Sequence, residues 1–258
     1  MDGNFAAVEG LSVFYVEAGE GIPVLYIHGN TGSSRYFSKV MRIRGCRTIA
    51  LDMPNFGKSS SMPDEPSIEA YAKWVYKFIE VMKLKRPLVV GHSLGGAVAQ
   101  VIAVDHPDSV RALALVDSAS PRGLITPKDR YPFIELMYKD KNVLSQALAA
   151  TMPTLNDKEL FASILDEATA MAKPAWLGNA EALSNFEISS KCASYKNPVL
   201  VLWGRKDFLV TEQMARETAA AYPNSSFRIL ENVGHSGVVE DPEQFISIFE
   251  NFVSGLKE

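Results

Sequence analysis

The sequence predicts an α/β fold, a mostly parallel sheet with helices packed on both faces and one inserted helical segment. Three observations carry this. Short continuous apolar runs recur at 24–27, 88–90, 112–116 and 199–202, as expected of strands covered on both sides. Helical patterns alternate with them, which calls for parallel pairing through right-handed crossovers. Between 121 and 196 the strand rhythm stops and only helical patterns remain.

Taken in order, residues 5–8 and 11–16 flank Glu9-Gly10 and predict a tight β-hairpin. Residues 24–27 form the first buried strand and end at His28-Gly29-Asn30; residues 47–51 form the next and end in the turn formers 52–59. Pro66-Ser67 opens a helix whose core stripe is Tyr71, Trp74, Val75, Phe78, Ile79 and Met82. Residues 88–90 enter Gly91-His92-Ser93-Leu94-Gly95-Gly96, and the small residues after it predict a close-packed helix ending near His106-Pro107. Residues 112–116 form another buried strand. In the inserted segment, Asn156-Asp157-Lys158-Glu159 has capping-box spacing. Strands resume at 199–202 and 227–230, with a helix after Thr211 between them. Asp241-Pro242 opens the last helix, with Phe245, Ile248, Phe249 and Phe252 as its stripe and Gly255 as its stop.

The division expected is a core of 1–120 and 197–258 with a helical cap of 121–196. Length (258 residues), 47% hydrophobic and 22% charged residues describe a globular chain with a large core. A net charge of −4 offers no footprint for nucleic acid. Cys46 and Cys192 are far apart and fit neither a metal nor a redox pattern. No apolar stretch reaches membrane-spanning length and Met1 to Asn4 do not resemble a signal peptide, so no membrane association and a cytoplasmic location are the expectations. Oligomeric state is not legible.

The chemistry centres on Ser93. A serine between an apolar strand and a small-residue helix, with glycine two positions to either side, has the setting of a nucleophile elbow. Its hydroxyl needs a base. Of the four histidines, His235 follows the last strand and is the best candidate; His92 lies inside the turn, His28 ends an earlier strand, and His106 is expected at the solvated surface. Asp207, after the penultimate strand, is the first choice to orient His235, with Asp117 as the runner-up. The N–H groups of Leu94 and Asn30 are the candidate oxyanion donors.

The ordered set His28-Gly29, Asp52 with Gly57 and Ser59, Gly-His-Ser93-Leu-Gly-Gly, Trp-Gly with Asp207, and Gly-His235 resembles the α/β-hydrolase superfamily, in its capped, esterase-like branch. The resemblance implies an eight-stranded sheet and a Ser-His-acid triad; the serine mechanism expected of it requires no metal and no cofactor. His-Gly-Asn in place of a glycine-rich oxyanion loop argues against hormone-sensitive-lipase-like esterases and proline iminopeptidases. Serine in place of aspartate at the elbow argues against dehalogenase and epoxide hydrolase chemistry. Asn55 stands where the family's Asp-x-x-Gly loop has its first glycine.

The expectation is therefore a serine hydrolase acting on small-molecule esters with apolar acyl or aryl groups. A carbon–carbon bond hydrolase of ring-cleavage products and an acyl-homoserine lactone hydrolase stay as alternatives, and a ligand receptor as the non-enzymatic one. His28, Phe133, Met137 and Trp176 are candidate pocket residues; Tyr138, Met152, Phe161, Met171 and Phe186 complete an apolar set of which at least half is expected to be cap core. Arg122, Lys128, Arg130, Lys139 and Lys141 alternate with Asp129, Glu135 and Asp140, the pattern of a solvated face.

Overall fold

A computed structural model describes residues 3–256. Eight strands form one sheet: β1 (Asn4–Val8), β2 (Leu11–Gly19), β3 (Ile22–Ile27), β4 (Cys46–Leu51), β5 (Leu88–His92), β6 (Ala112–Val116), β7 (Val199–Gly204) and β8 (Ser225–Leu230). Their spatial order is β1-β2-β4-β3-β5-β6-β7-β8, with β2 antiparallel to both neighbours and every pair from β4 to β8 parallel. The hairpin turns at Glu9 and Gly10, both at positive φ. The parallel strands β5, β6 and β7 are buried along their whole length, which is why they appear in the sequence as unbroken apolar runs rather than alternations.

The order reverses about β3, which lies between β4 and β5. A crevice opens at the carboxyl ends of strands on either side of such a reversal. His28 follows β3 and Ser93 follows β5, so both lie at that crevice.

The helices are α1 (Ile68–Val81), α2 (Leu94–Asp105), α3 (Tyr131–Lys139), α4 (Lys141–Thr151), α5 (Lys158–Ala168), α6 (Lys173–Asn185), α7 (Glu212–Ala221), α8 (Gly237–Glu240) and α9 (Pro242–Ser254). Ser67 caps α1 by accepting from the Ala70 N–H, and Asp241 caps α9 by accepting from that of Gln244. Phe245 and Phe249 of α9 are fully buried, each contributing about 1.5–3 kcal/mol by transfer from water. Helices α3 to α6 all lie between β6 and β7 in the chain. The cap of α5 is Asp157, whose side chain accepts from Leu160, so the helix starts one residue later than the capping-box spacing from Asn156 implies. Asp, like Asn, caps well, and the sequence alone does not decide between adjacent candidates. His106 is half-buried and stacked on Tyr76, ring centroids 3.6 Å apart, rather than solvated, because α2 ends against α1. The short α8 carries too few residues to show a periodicity.

Among the described residues no helix is long and apolar enough to cross a membrane.

Candidate active site

The turn after β5 is built by exclusion of side chains. A Cβ on Gly91 would overlap the Gly95 carbonyl oxygen, and one on Gly95 would overlap the carbonyl oxygens of Ile27 and His28. Only glycine permits strand, turn and helix to approach so closely. Between them Ser93 is held at φ 52° and ψ −118°, a conformation costing on the order of 1–3 kcal/mol that persists because the surrounding packing leaves no alternative. Its hydroxyl stands beside the first turn of α2, whose Leu94 N–H has no intrahelical acceptor. The loop after β3 runs alongside: a Cβ on Gly29 would lie 2.9 Å from the Ser93 Cβ.

His235 Nε2 lies 2.9 Å from Ser93 Oγ, and His235 Nδ1 lies 2.7 Å from Asp207 Oδ2. The second carboxylate oxygen of Asp207 accepts the N–H groups of Leu209 (2.7 Å) and Val210 (3.1 Å), which fixes the acid in its own turn. The loops that carry Asp207 and His235 are laced together, with Arg205 donating to Leu230 and Lys206 to Val233, both at 2.9 Å. Side-chain exposure is 6% for His235 and 0% for Asp207, so their interaction is weakly screened. Burial disfavours the imidazolium, yet the hydrogen bond and charge of Asp207, then the charges of Asp117 and Glu240, hold His235 above the ordinary histidine value.

Asp117 follows β6, directly beside this pair. Its Oδ1 accepts the Gly204 N–H at 2.7 Å and its Oδ2 faces the Gly237 N–H at 3.4 Å. It makes no hydrogen bond to the ring of His235. Burial first, and the charge of Asp207 second, push its carboxyl up to about 7. Ser93, His235 and Asp207 are thus in hydrogen-bonded series, with Asp117 a neighbour of the series.

The other two histidines at the crevice have different duties. His28 is fully buried; Nε2 accepts the Met53 N–H at 3.0 Å and Nδ1 donates to the Gly29 carbonyl at 2.8 Å. Both ring nitrogens being engaged, His28 braces the loop and does not offer a polar group to a pocket, contrary to the sequence expectation. His92 donates through Nε2 to the His235 carbonyl at 2.6 Å, and its buried Nδ1 has no partner among the described residues. Burial, aided by the charge of His235, lowers it to about 3, so its ring is neutral.

Of the other pocket candidates, Trp176 is buried, donates from its indole to the Met171 carbonyl at 3.2 Å and packs against Tyr138. Met137 is half-buried, and Phe133 and Tyr138 are exposed. Met152, Met171 and Phe186 are buried in the main core cluster and Phe161 packs against it.

Three residues with no place in the sequence reading turn out to bear on the site. Asn179 of α6, fully buried, donates to Asn30 Oδ1 at 2.8 Å. The Thr151 carbonyl accepts the N–H of His235 at 2.9 Å, and Glu240 accepts the N–H of Gly234 at 2.8 Å. A polar Asn179 amid Ala175-Trp176-Leu177-Gly178-Asn179-Ala180 was a visible signal; an exposed-type glutamate five residues beyond His235 was not.

Residues 22–242 match the family model described as alpha/beta hydrolase fold. The chain is 28% identical to 2-hydroxymuconate semialdehyde hydrolase of Pseudomonas putida, across 92% of this chain and 89% of that one. It is 27% identical to Lipase 1 of Psychrobacter immobilis, across 98% and 84%. Among solved structures, an esterase from Exiguobacterium antarcticum superposes with a TM-score of 0.89 at 20% identity, covering 98% of this chain and 100% of that one. The chain belongs to the α/β-hydrolase fold family.

Proposed function

We propose that the protein is a serine carboxylesterase acting on small-molecule esters with apolar acyl or aryl groups, with α3 to α6 serving as a cap over the site. The observation that carries the reading is the unbroken series Ser93 Oγ, His235 Nε2, His235 Nδ1 and Asp207 Oδ2, with links of 2.9 and 2.7 Å. With Nδ1 protonated toward Asp207, the Nε2 lone pair faces the serine hydroxyl. Ser93 Oγ bonds to the ester carbonyl carbon as its proton passes to His235. The carbonyl oxygen becomes an oxyanion between the N–H groups of Leu94 and Asn30, each such donor being worth about 10²–10³ in rate. The carbon–oxygen bond to the alcohol then breaks as His235 returns the proton to the leaving oxygen. Water repeats the two steps on the acyl-enzyme and releases the acid.

Hydrolysis of a p-nitrophenyl ester series, with and without a fluorophosphonate probe, tests this. The expected result is turnover abolished by Ser93→Ala and blocked by a single adduct on Ser93. Ester turnover surviving Ser93→Ala would overturn it. Labelling of Ser93 with little ester turnover, together with rapid opening of a lactone or cleavage of a ring-fission product, would keep the nucleophile and replace the substrate class.

A further inference from the structure

Glu240 stands where three segments meet, and both oxygens of its carboxylate are engaged. Oε1 accepts the N–H groups of Gly234 at 2.8 Å and Ser236 at 3.2 Å, the residues on either side of His235. Oε2 accepts the N–H and the hydroxyl of Thr154, at 3.0 and 2.7 Å, in the turn between α4 and α5. The end of α4, just before this turn, reaches the base directly, since the Thr151 carbonyl accepts the His235 N–H at 2.9 Å. Pro153 closes the contact: a Cβ on Gly234 would lie 2.5 Å from its Cδ. Bonds to an ionised acceptor are roughly twice as strong as neutral ones, so one carboxylate ties two loop amides and a remote turn with more force than neutral contacts could.

We propose that Glu240 is a positioning residue for the base: it locks the His235 loop to the turn at Thr154, so that the placement of the inserted helical segment sets the reach of His235 toward Ser93. The proposal rests on the reading of His235 as general base. Glu240 holds the N–H groups on either side of His235 through one oxygen and is itself held from the inserted segment through the other. A displacement of that segment would break the Thr151 and Thr154 bonds together and remove both the direct and the relayed support of the loop.

Glu240 also belongs to the charged surroundings of the ring. His235 faces Asp207 and Asp117 from the turns after β7 and β6, His92 from β5 and Glu240 from α8; Tyr36 lies beside Ser236 and Glu240. Burial opposes the imidazolium, and Asp207, Asp117 and Glu240 in that order favour it.

Three variants separate positioning from mere structure. Glu240→Gln keeps an acceptor for the loop amides, removes the charge and turns a donor toward the Thr154 N–H. Glu240→Ala removes every contact, and Thr154→Val removes one hydroxyl bond and leaves the charge. For a p-nitrophenyl ester, kcat/KM is expected to fall about 10²-fold in Glu240→Ala and about tenfold in Glu240→Gln, a displacement of the base of the order of 1 Å being enough. In both, the acid limb of the kcat/KM profile moves to lower pH. In Thr154→Val the rate falls a few-fold and the limb stays in place. An unmoved limb in both Glu240 variants, with lowered melting temperature as their only defect, overturns the proposal. Fluorophosphonate capture keeps the two readings distinct: no capture at Ser93 in the unsubstituted chain defeats the base reading, whereas capture that is unchanged in the Glu240 variants defeats only the clamp.

Discussion

Asn179 and Asn30 are joined by a 2.8 Å hydrogen bond from the Asn179 amide to Asn30 Oδ1, across the boundary between the inserted helices and the loop after β3. The bond is one link in a chain: Asn179 Oδ1 accepts from the Tyr71 hydroxyl at 2.8 Å, and that hydroxyl accepts from Asn55 at 3.3 Å. Asn179, Tyr71 and Asn55 are buried, so a partner missing among them is not replaced by solvent.

Asn179→Leu therefore strands a buried hydroxyl hydrogen and an amide oxygen. The expected cost is about 1–3 kcal/mol in unfolding free energy, measured by urea titration. It should bring a drop in ester turnover, because Asn30 loses its anchor. A variant of unchanged stability and unchanged turnover would show that the link is incidental.

The two buried aspartates beside His235 should differ in how their removal depends on pH. Asp207 accepts the His235 Nδ1 proton, so Asp207→Asn presents the wrong tautomer and should lose on the order of 10⁴ in kcat throughout the pH range. Asp117, raised to about 7 by burial and by the charge of Asp207, is mostly protonated below that pH and mostly ionised above it. Asp117→Asn should thus resemble the unsubstituted enzyme at pH 6 and fall behind it at pH 8, where the lost charge no longer supports the imidazolium. The comparison of kcat/KM at the two pH values decides it, and an equal loss at both contradicts the assignment.

Much of this arrangement could be seen in the residues. The apolar runs of β5, β6 and β7 were legible because strands covered on both faces cannot alternate. The glycines around Ser93 were legible because the turn tolerates nothing larger. What stayed hidden is of another kind. His28 presents the same letter whether it lines a pocket or braces a loop, and only the Met53 N–H and Gly29 carbonyl at its ring decide. The clamp at Glu240 joins residues 154 and 240, and no local pattern encodes a bond between segments so far apart. Exposure of Phe133 beside burial of Trp176 follows from how α3 and α6 are placed, not from their periodicity.

His92 makes the protein sensitive to acid. It is lowered to about 3 by burial and by the charge of His235, whereas in the unfolded chain it takes a proton near pH 6.5. Between those values the unfolded state binds the extra proton, so stability falls as pH is lowered from about 6.5 toward 3, by on the order of a few kcal/mol. His28, lowered chiefly by burial, acts with the same sign. His235 acts with the opposite sign, its contribution being present below about pH 6.5 and lost as pH rises through its raised folded value. His92→Asn should flatten the dependence of unfolding free energy on pH between 4 and 6.5. A slope equal to that of the unsubstituted chain would mean that His92 does not carry it.

Asn55 offers a test in which two effects oppose each other. It sits at φ 77°, where glycine is unstrained, and replacement by glycine relieves about 1 kcal/mol or less, since asparagine tolerates this region better than most residues. Against that, Oδ1 accepts the Met62 N–H at 3.1 Å and Nδ2 donates to Tyr71, and glycine loses both. A buried N–H left unpaired costs about 1–3 kcal/mol, and the added freedom of glycine in the unfolded chain costs about 0.5–1 kcal/mol more. The hydrogen bonds win, so Asn55→Gly should destabilise by about 1–3 kcal/mol. Asn55→Ala loses the same bonds and, lacking the side chain that lets asparagine tolerate this region, adds about 1–2 kcal/mol of backbone strain, and so should be worse still. The urea midpoints should rank Asn above Gly above Ala; a glycine variant at or above the parent would mean that backbone strain, not the network through Tyr71, dominates at this position.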